Sequence, residues 1–238
     1  MFRVGVIPTG ESSMKILEMA GETLLLDLSG ALYATAHRTL IVADMHLEKG
    51  SAYLVKGVPM PPFDSAASLA RLVEVCSRLL PRAIVALGDF FHDGGATERI
   101  APRDIATLNR LIEAHEWIWV LGNHDPKPPA GLGGRPVEDW QIGPLALRHE
   151  PRSRAEAEIA GHFHPVASVH AGGRRIRRRC FATDGRRMIL PAFGAYTGGL
   201  NVLDPAVANL FGCEFRAWMI GAESLYPVSS TRLIPETA

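Results

Sequence analysis

Seven side chains able to bind metal ions fall in order along this chain. They are Asp44 and His46 in Asp44-Met45-His46, Asp89 after Gly88, Asn123 in Gly122-Asn123-His124-Asp125, His149, and the pair in Gly161-His162-Phe163-His164. Carboxylate, amide-oxygen and imidazole donors in this order can build two adjacent divalent-metal sites that share one carboxylate. Two such ions, about 3.5–4 Å apart, form a clamp for splitting phosphate esters. With no thiolate in the set, two divalent ions per chain are expected, Mn²⁺ foremost, with iron or zinc as alternatives. Singly, these elements say little. Gly-Asp at a strand end is usually a turn, and a lone histidine such as His149 is more often a core or surface residue. The joint pattern carries the inference, because every donor type fits one dinuclear centre.

The elements that must position these residues are legible as buried strands. Thr39–Ala43, Ala83–Leu87 and Trp117–Leu121 are short, nearly continuous apolar runs, the mark of strands covered on both faces. Each ends one or two residues before a candidate ligand, which puts Asp44, Asp89 and Asn123 in a crevice at the carboxyl ends of strands. The spacing of two in Asp44/His46 and His162/His164 predicts that each pair projects to one side of an extended backbone. Gly88, Gly122 and Gly161 precede ligands, where a residue without Cβ lets backbone approach the site closely.

Two helices are expected. One starts at Asp64 as its cap and runs to about Leu80, with Ala66, Leu69, Ala70, Val73 and Cys76 on its apolar stripe; Pro81 stops it. The other runs from Arg103 to His115, with Ile105, Leu108, Leu111 and Ile112 inward. Short runs at 14–20, 23–28 and 31–35, broken by Gly21 and Gly30, predict antiparallel hairpins. After Pro144 short strands and turns are expected. Trp117 and Trp119 read as core residues, and His37, His115 and His170 as surface residues. Loop 126–134, with Pro128-Pro129, follows the Asn123–Asp125 turn.

At 238 residues the chain fits one α/β domain, expected over 14–226, with 1–13 and 227–238 as mobile extensions. Lys+Arg and Asp+Glu number 25 each, so no global field draws the protein to nucleic acid or to an anionic membrane; any attraction is local. Cys76, Cys180 and Cys213 form no CxxC pair, which fits a reducing cytoplasm. No run approaches the roughly 18 apolar residues of a membrane span.

The motifs Asp44-x-His46, Gly88-Asp89, Gly122-Asn123-His124-Asp125, His149 and Gly161-His162-x-His164 resemble those of the calcineurin-like metallophosphoesterases. The resemblance implies an α/β fold, a four-layer α/β/β/α sandwich with two central mixed sheets. It implies that Asp44, His46 and His164 hold one metal, that Asn123, His149 and His162 hold the second, and that Asp89 bridges both. It also implies catalytic roles for His124, over the substrate phosphate, and for Asp125 beside it. A narrower resemblance runs over about 40–200. His46-Leu47-Glu48-Lys49-Gly50, Gly57-Val58-Pro59, Gly88-Asp89-Phe90-Phe91-His92, Arg148-His149-Glu150-Pro151 and Leu190-Pro191-Ala192-Phe193-Gly194 are similar to the bacterial ligase-associated DNA damage response phosphoesterases. That family implies a DNA endonuclease working in repair with DNA ligase and helicase partners. Glu48 departs from it, standing where a glycine is expected.

With that ligand set, a metal-bridging hydroxide would attack phosphorus while His124 stabilises charge or protonates the leaving oxygen. His92 is a further cleft candidate. In Gly172-Gly173-Arg174-Arg175-Ile176-Arg177-Arg178-Arg179 a hairpin would send Arg175, Arg177 and Arg179 to one face, a row able to follow a phosphate backbone. The competing reading is a solvated hairpin whose arginines guard an edge or pair with Glu156 and Glu158. Three functions follow in order: a phosphodiesterase on DNA, the same chemistry on a small nucleotide or other phosphoester, and an inactive interaction module, which would be expected to have lost ligands.

Overall fold

The structure, a computed structural model, describes residues 14–127, 131–153, 155–212 and 214–236. The extension expected at 1–13, Pro128-Pro129 and Cys213 lie outside them. In chain order the first half contains β1 (Met14–Met19), β2 (Glu22–Asp27), β3 (Leu32–Ala34), β4 (Thr39–Ala43), α1 (Lys49–Val55), α2 (Asp64–Leu79), β5 (Ala83–Leu87), α3 (Ala96–Arg99), α4 (Pro102–Ala114), β6 (Glu116–Val120) and β7 (Arg135–Val137). The second half contains β8 (Asp139–Ile142), β9 (Leu145–Arg148), β10 (Glu158–Ala160), β11 (Val166–Ala171), β12 (Arg174–Thr183), β13 (Arg187–Ile189), α5 (Pro205–Ala208), β14 (Arg216–Ile220) and β15 (Leu225–Ser229).

The strands form two mixed sheets. The first has the order β1-β2-β3-β4-β5-β6-β7, antiparallel up to β4 and parallel from there on. The second runs β15-β14-β12-β13-β10-β9-β8, with β11 paired to β12. In β4 and β5 every residue is buried, because alternate side chains serve two cores. Ile41, Val85 and Ile118 face the second sheet's Leu147, Ile159 and Phe181. Leu40, Ile84, Trp117 and Trp119 face Leu69, Leu72, Leu108 and Leu111 of α2 and α4, so both tryptophans are core. Outside the second sheet a third cluster includes Cys180, Val202, Phe211 and Leu233. This outer layer is mostly irregular chain around the four-residue α5, so the sandwich is thicker in helix on one side.

Four expectations are corrected. Asp64 does not cap α2, whose cap position is Phe63; its carboxylate instead accepts from Lys49 N (2.9 Å) and Gly50 N (3.2 Å) at the start of α1. The inward face of α2 is Ser65, Ser68, Leu69, Leu72, Val75 and Cys76, while Val73 is 42% exposed. The expected stripe was rotated because two serines share the buried face. α1 has no counterpart in the sequence reading. The tail beyond 226 is no mobile extension as far as Glu236: β15 pairs with β14 to Ser229, Leu233 is buried, and Ile234 N–H donates to Ser168 O at 2.9 Å.

Candidate metal centre

The parallel β4, β5 and β6 deliver Asp44, Asp89 and Asn123 to one end of the first sheet, and β9 and β10 deliver His149 and the 161–164 turn from the second. Pairing within the first sheet continues past its strands, with Asp44 N–H donating to Gly88 O (3.2 Å) and His46 N–H to Asp89 O (2.9 Å), and the second sheet is joined to it where Phe193 N–H donates to Ala43 O (2.8 Å). Asp44, His46, Asp89, His162 and His164 all have positive φ, between 44° and 70°. These pairs therefore do not project from an extended backbone, as their spacing predicted. They converge through left-handed turns, a sparsely populated conformation that persists only where its surroundings enforce it. Gly88 shows the enforcement: a Cβ there would sit 2.1 Å from His149 Nδ1. A Cβ on Gly122 would meet Asp89 N and Oδ1, both at 2.3 Å.

The donors gather into two adjoining groups. Asp44, His46 and His164 each bring one ligand atom within 4.8 Å of the others, as do Asp89, His149 and His162. Inside the first, His46 Nε2 lies 3.2 Å from His164 Nε2, and His164 Nε2 lies 3.4 Å from Asp44 Oδ1. Inside the second, His162 Nδ1 lies 3.2 Å from His149 Nε2, and Asn123 Oδ1 is 2.9 Å from His149 Nε2 and 3.1 Å from His162 Nδ1. His162 and His164 thus serve different groups. Backbone amides hold both carboxylates: Asp44 accepts from His162 N–H, and Asp89 Oδ1 from His124 N–H.

Burial keeps protons off the imidazoles at these positions. His46, 4% exposed, is pushed down to about 2, first by burial and then by the charges of His164 and His124. His162 is lowered by burial and by His149. Neutral imidazoles with free lone pairs, facing buried carboxylates and an amide oxygen, are a donor set that fits divalent metal ions. His149 Nδ1 sits 3.4 Å from Leu87 O, which leaves Nε2 for the site.

The other candidates divide. His124 is exposed; its Nδ1 makes a 2.8 Å hydrogen bond to His92 O, so Nε2 is the nitrogen left for substrate. The His92 ring stacks on His124 at 5.4 Å and is lowered to about 4 by burial and by Lys49. Asp125 lies behind the centre. Its Oδ2 accepts from Phe90 N (2.8 Å) and Phe91 N (3.2 Å), and burial followed by the charge of Asp89 raises it to about 6. The Asp125 carboxylate thus holds the backbone that follows Asp89.

The arginine row forms on one face of β12 as alternation predicted, yet it is engaged elsewhere. Arg175 donates to Pro235 O (2.9 Å), Arg177 to Glu236 Oε1 (2.6 Å) and Gly199 O (2.8 Å), and Arg179 to Ala192 O. Glu156 and Glu158 pair with Arg186 and Arg187 instead. Sequence reading missed the support behind His46. Glu48, at φ 66°, accepts from Ser51 Oγ (2.6 Å) and Ser65 Oγ (2.7 Å), and Arg99 joins Ser51 (3.0 Å) to Asp93 (2.6 Å). An acid in place of the expected glycine was the available signal.

Residues 37–176, more than half of the chain, match the Calcineurin-like phosphoesterase family. A crystal structure of Pseudomonas putida nuclease MPE is similar over 90% of this chain and 100% of that one, at 31% identity and TM-score 0.71. Yfce, a phosphoesterase from E. coli, matches at 13% identity and TM-score 0.39, over 82% of this chain and 98% of that one. No curated protein sequence gives a significant match. The chain belongs to the calcineurin-like phosphoesterase family. It is a metal-dependent phosphoester hydrolase. Among the described residues no helix is long and apolar enough to cross a membrane.

Proposed function

We propose that this protein is a dinuclear phosphodiesterase that cuts nucleic-acid strands, a cytoplasmic DNA endonuclease of repair working with DNA ligase and helicase partners. One observation carries the dinuclear part. Asp89 Oδ2 lies 3.4 Å from His149 Nε2 and 3.8 Å from His46 Nε2, so one buried carboxylate reaches both donor groups. In this reading Asp44, His46 and His164 hold one ion, Asn123, His149 and His162 the other, and Asp89 serves both. Mn²⁺ is the expected ion, with iron or zinc as alternatives. Bound divalent ions supply Lewis-acid polarisation of a phosphoryl oxygen and ionise water near neutral pH.

The chain's own residues do the rest. Backbone N–H groups of His162 and His124 hold Asp44 and Asp89 in place. Asp125 fixes the Phe90–Phe91 backbone that follows Asp89. The His92 carbonyl accepts a hydrogen bond from His124 Nδ1–H, so a protonated His124 would present Nε2–H to the leaving oxygen. The polymer part of the reading is supported by the likeness to the P. putida nuclease.

The test is a metal-by-substrate matrix. Protein stripped with chelator is refilled with Mn²⁺, Fe²⁺, Zn²⁺ or Mg²⁺, its metal content is counted, and it is assayed on an aryl diester, an aryl monoester, cyclic nucleotides and single- and double-stranded DNA. Two ions per chain with DNA cleavage is the expected result. One ion removes the dinuclear assignment, and hydrolysis of small esters with DNA left intact removes the polymer assignment.

A further inference from the structure

α1 begins three residues after His46, and its position is fixed from below. Asp64 holds the Lys49 and Gly50 amides, and Glu48 is locked between Ser51 and Ser65. Lys49, Tyr53 and Lys56 follow at spacings of four and three, which places them on one helical face. That face meets the candidate centre. The rings of Tyr53, His92 and His124 follow one another at 6.0 and 5.4 Å, so a ladder of rings runs from α1 to His124. Both lysines act electrostatically on His92, and Lys49 also acts on His46. Lys56 Nζ sits 5.9 Å from the Tyr53 ring.

The charge here is not neutralised locally. Among the described residues no ion pair engages Lys49 or Lys56, while the acids nearby are taken: Asp93 by Arg99, Glu48 by hydroxyls, Asp64 by backbone amides. The helix and the chain after it also expose apolar surface, with Val55 75%, Val58 45% and Phe63 62% exposed. Val58 N–H donates to Tyr53 O at 2.9 Å, which turns that chain back onto the C-terminal end of α1. Two ammonium groups beside an aromatic ring suit a ligand that alternates anions with flat apolar faces. A nucleic-acid strand has that chemistry: phosphates for lysines, base faces for rings. Lys56 lies about 10 Å along the helix from Lys49, so the two charges are spread over more than a single phosphate.

We infer that this face of α1 is the track along which a nucleic-acid strand leaves the reaction centre, with Lys49 and Lys56 taking backbone phosphates and Tyr53 a base. The inference rests on the polymer reading above and assigns that strand a surface other than the arginine hairpin. It is tested with Mn²⁺-loaded enzyme on a labelled single-stranded oligonucleotide and on a small aryl diester, across a salt series. In Lys49→Ala with Lys56→Ala, kcat/KM for the oligonucleotide should fall about ten-fold further than kcat/KM for the diester. The log–log salt slope should become shallower by about 1.4 for the two lost contacts. Tyr53→Ala should raise the oligonucleotide KM about ten-fold, by the loss of one stacked base, and Tyr53→Phe should restore it. Equal losses on both substrates, or an unchanged slope, would overturn the track, as would a slope that collapses in Arg175→Glu with Arg177→Glu but not in the lysine pair. If unaltered enzyme cuts the diester and leaves the oligonucleotide whole, the nuclease reading itself falls first.

Discussion

The candidate metal centre and the β11–β12 hairpin both drew notice in the sequence, one for its donors and the other for its arginines, and they are built on opposite principles. In the centre, Asp44, Asp89, His46 and His149 are at most 4% exposed, and five donors sit on left-handed backbone. Glycines stand where any Cβ would strike the site. Each position is constrained by several others far away in the chain. In the hairpin, Arg177 and its partner Glu236 are each almost half exposed, and the partner is simply the chain end that passes alongside. A scattered set of donors makes sense only as one site, whereas a local run of charge is satisfied by whatever lies near it.

That contrast predicts a wide gap between the two regions under mutation. Asp89→Asn should cost the most, because the carboxylate reaches both donor groups. Aryl diester turnover should fall by more than the roughly 10²–10³-fold that follows loss of one transition-state donor. Metal content by elemental analysis should fall with it; full turnover in Asp89→Asn, or in protein stripped of metal, would break the centre half of the comparison. His124→Ala should come next. It should keep its metals while kcat drops about 10²–10⁴-fold, less for a substrate with a very good leaving group. Loss of a metal in that variant would make His124 a ligand and not the proton donor.

Gly88→Ala probes the architecture of the same region. The added Cβ meets the His149 ring at a φ of 72°, so the backbone or the ring must move. A strained backbone of this kind costs about 1–3 kcal/mol, and the displaced His149 should weaken metal binding as well. A melting curve and a metal titration would check both, and an unchanged affinity would mean the close approach is incidental.

Much of this was legible in the sequence, and what was not has physical causes. Continuous apolar runs revealed β4, β5 and β6 because burial on both faces leaves no ambiguity. Donor types and order revealed which residues converge on the centre. The way they converge was not legible, since a spacing of two reads as a strand whether or not φ changes sign. α1 stayed hidden because it is short and leaves Leu54 and Val55 exposed, so no apolar stripe marks it. Asp64 looked like a cap for its own helix, and only tertiary contact sends its carboxylate to Lys49 and Gly50. The tail defeated the reading in the same way: its order depends on Leu233 finding a pocket outside the second sheet.

The metal-free centre should also be sensitive to acid. His46, His92 and His162 have folded pKa values below their ordinary range, and unfolded histidine titrates near about 6.5. Below that pH the unfolded chain binds protons that the folded chain refuses, so stability is full above about 6.5 and declines as pH falls. Asp125, raised to about 6, acts in the opposite sense, one group against three. Melting temperatures of chelated protein at pH 8, 6.5 and 5 should therefore descend in that order. A flat series would mean that these rings are hydrated and not desolvated.

The smallest effect should come from the hairpin. Arg175→Ala with Arg177→Ala removes bonds to Pro235 O, Glu236 Oε1 and Gly199 O. The Arg177–Glu236 pair is exposed, and exposed pairs contribute about 0–1 kcal/mol. The tail should stay docked, because buried Leu233 and the Ile234 N–H bond to Ser168 O do not depend on either arginine. In a domain of this size a loss of about 1 kcal/mol lowers the melting temperature by about 2–4 °C, and metal content and aryl diester turnover should hold. One contact makes the measurement informative: Arg177 grips Gly199, whose Cα lies so close to His164 that an added Cβ would sit 2.4 Å from its carbonyl oxygen. If the double variant loses metal, the hairpin braces the His164 turn through that loop, and the two regions are one mechanical unit. If only the melting temperature moves, the arginines belong to the tail alone.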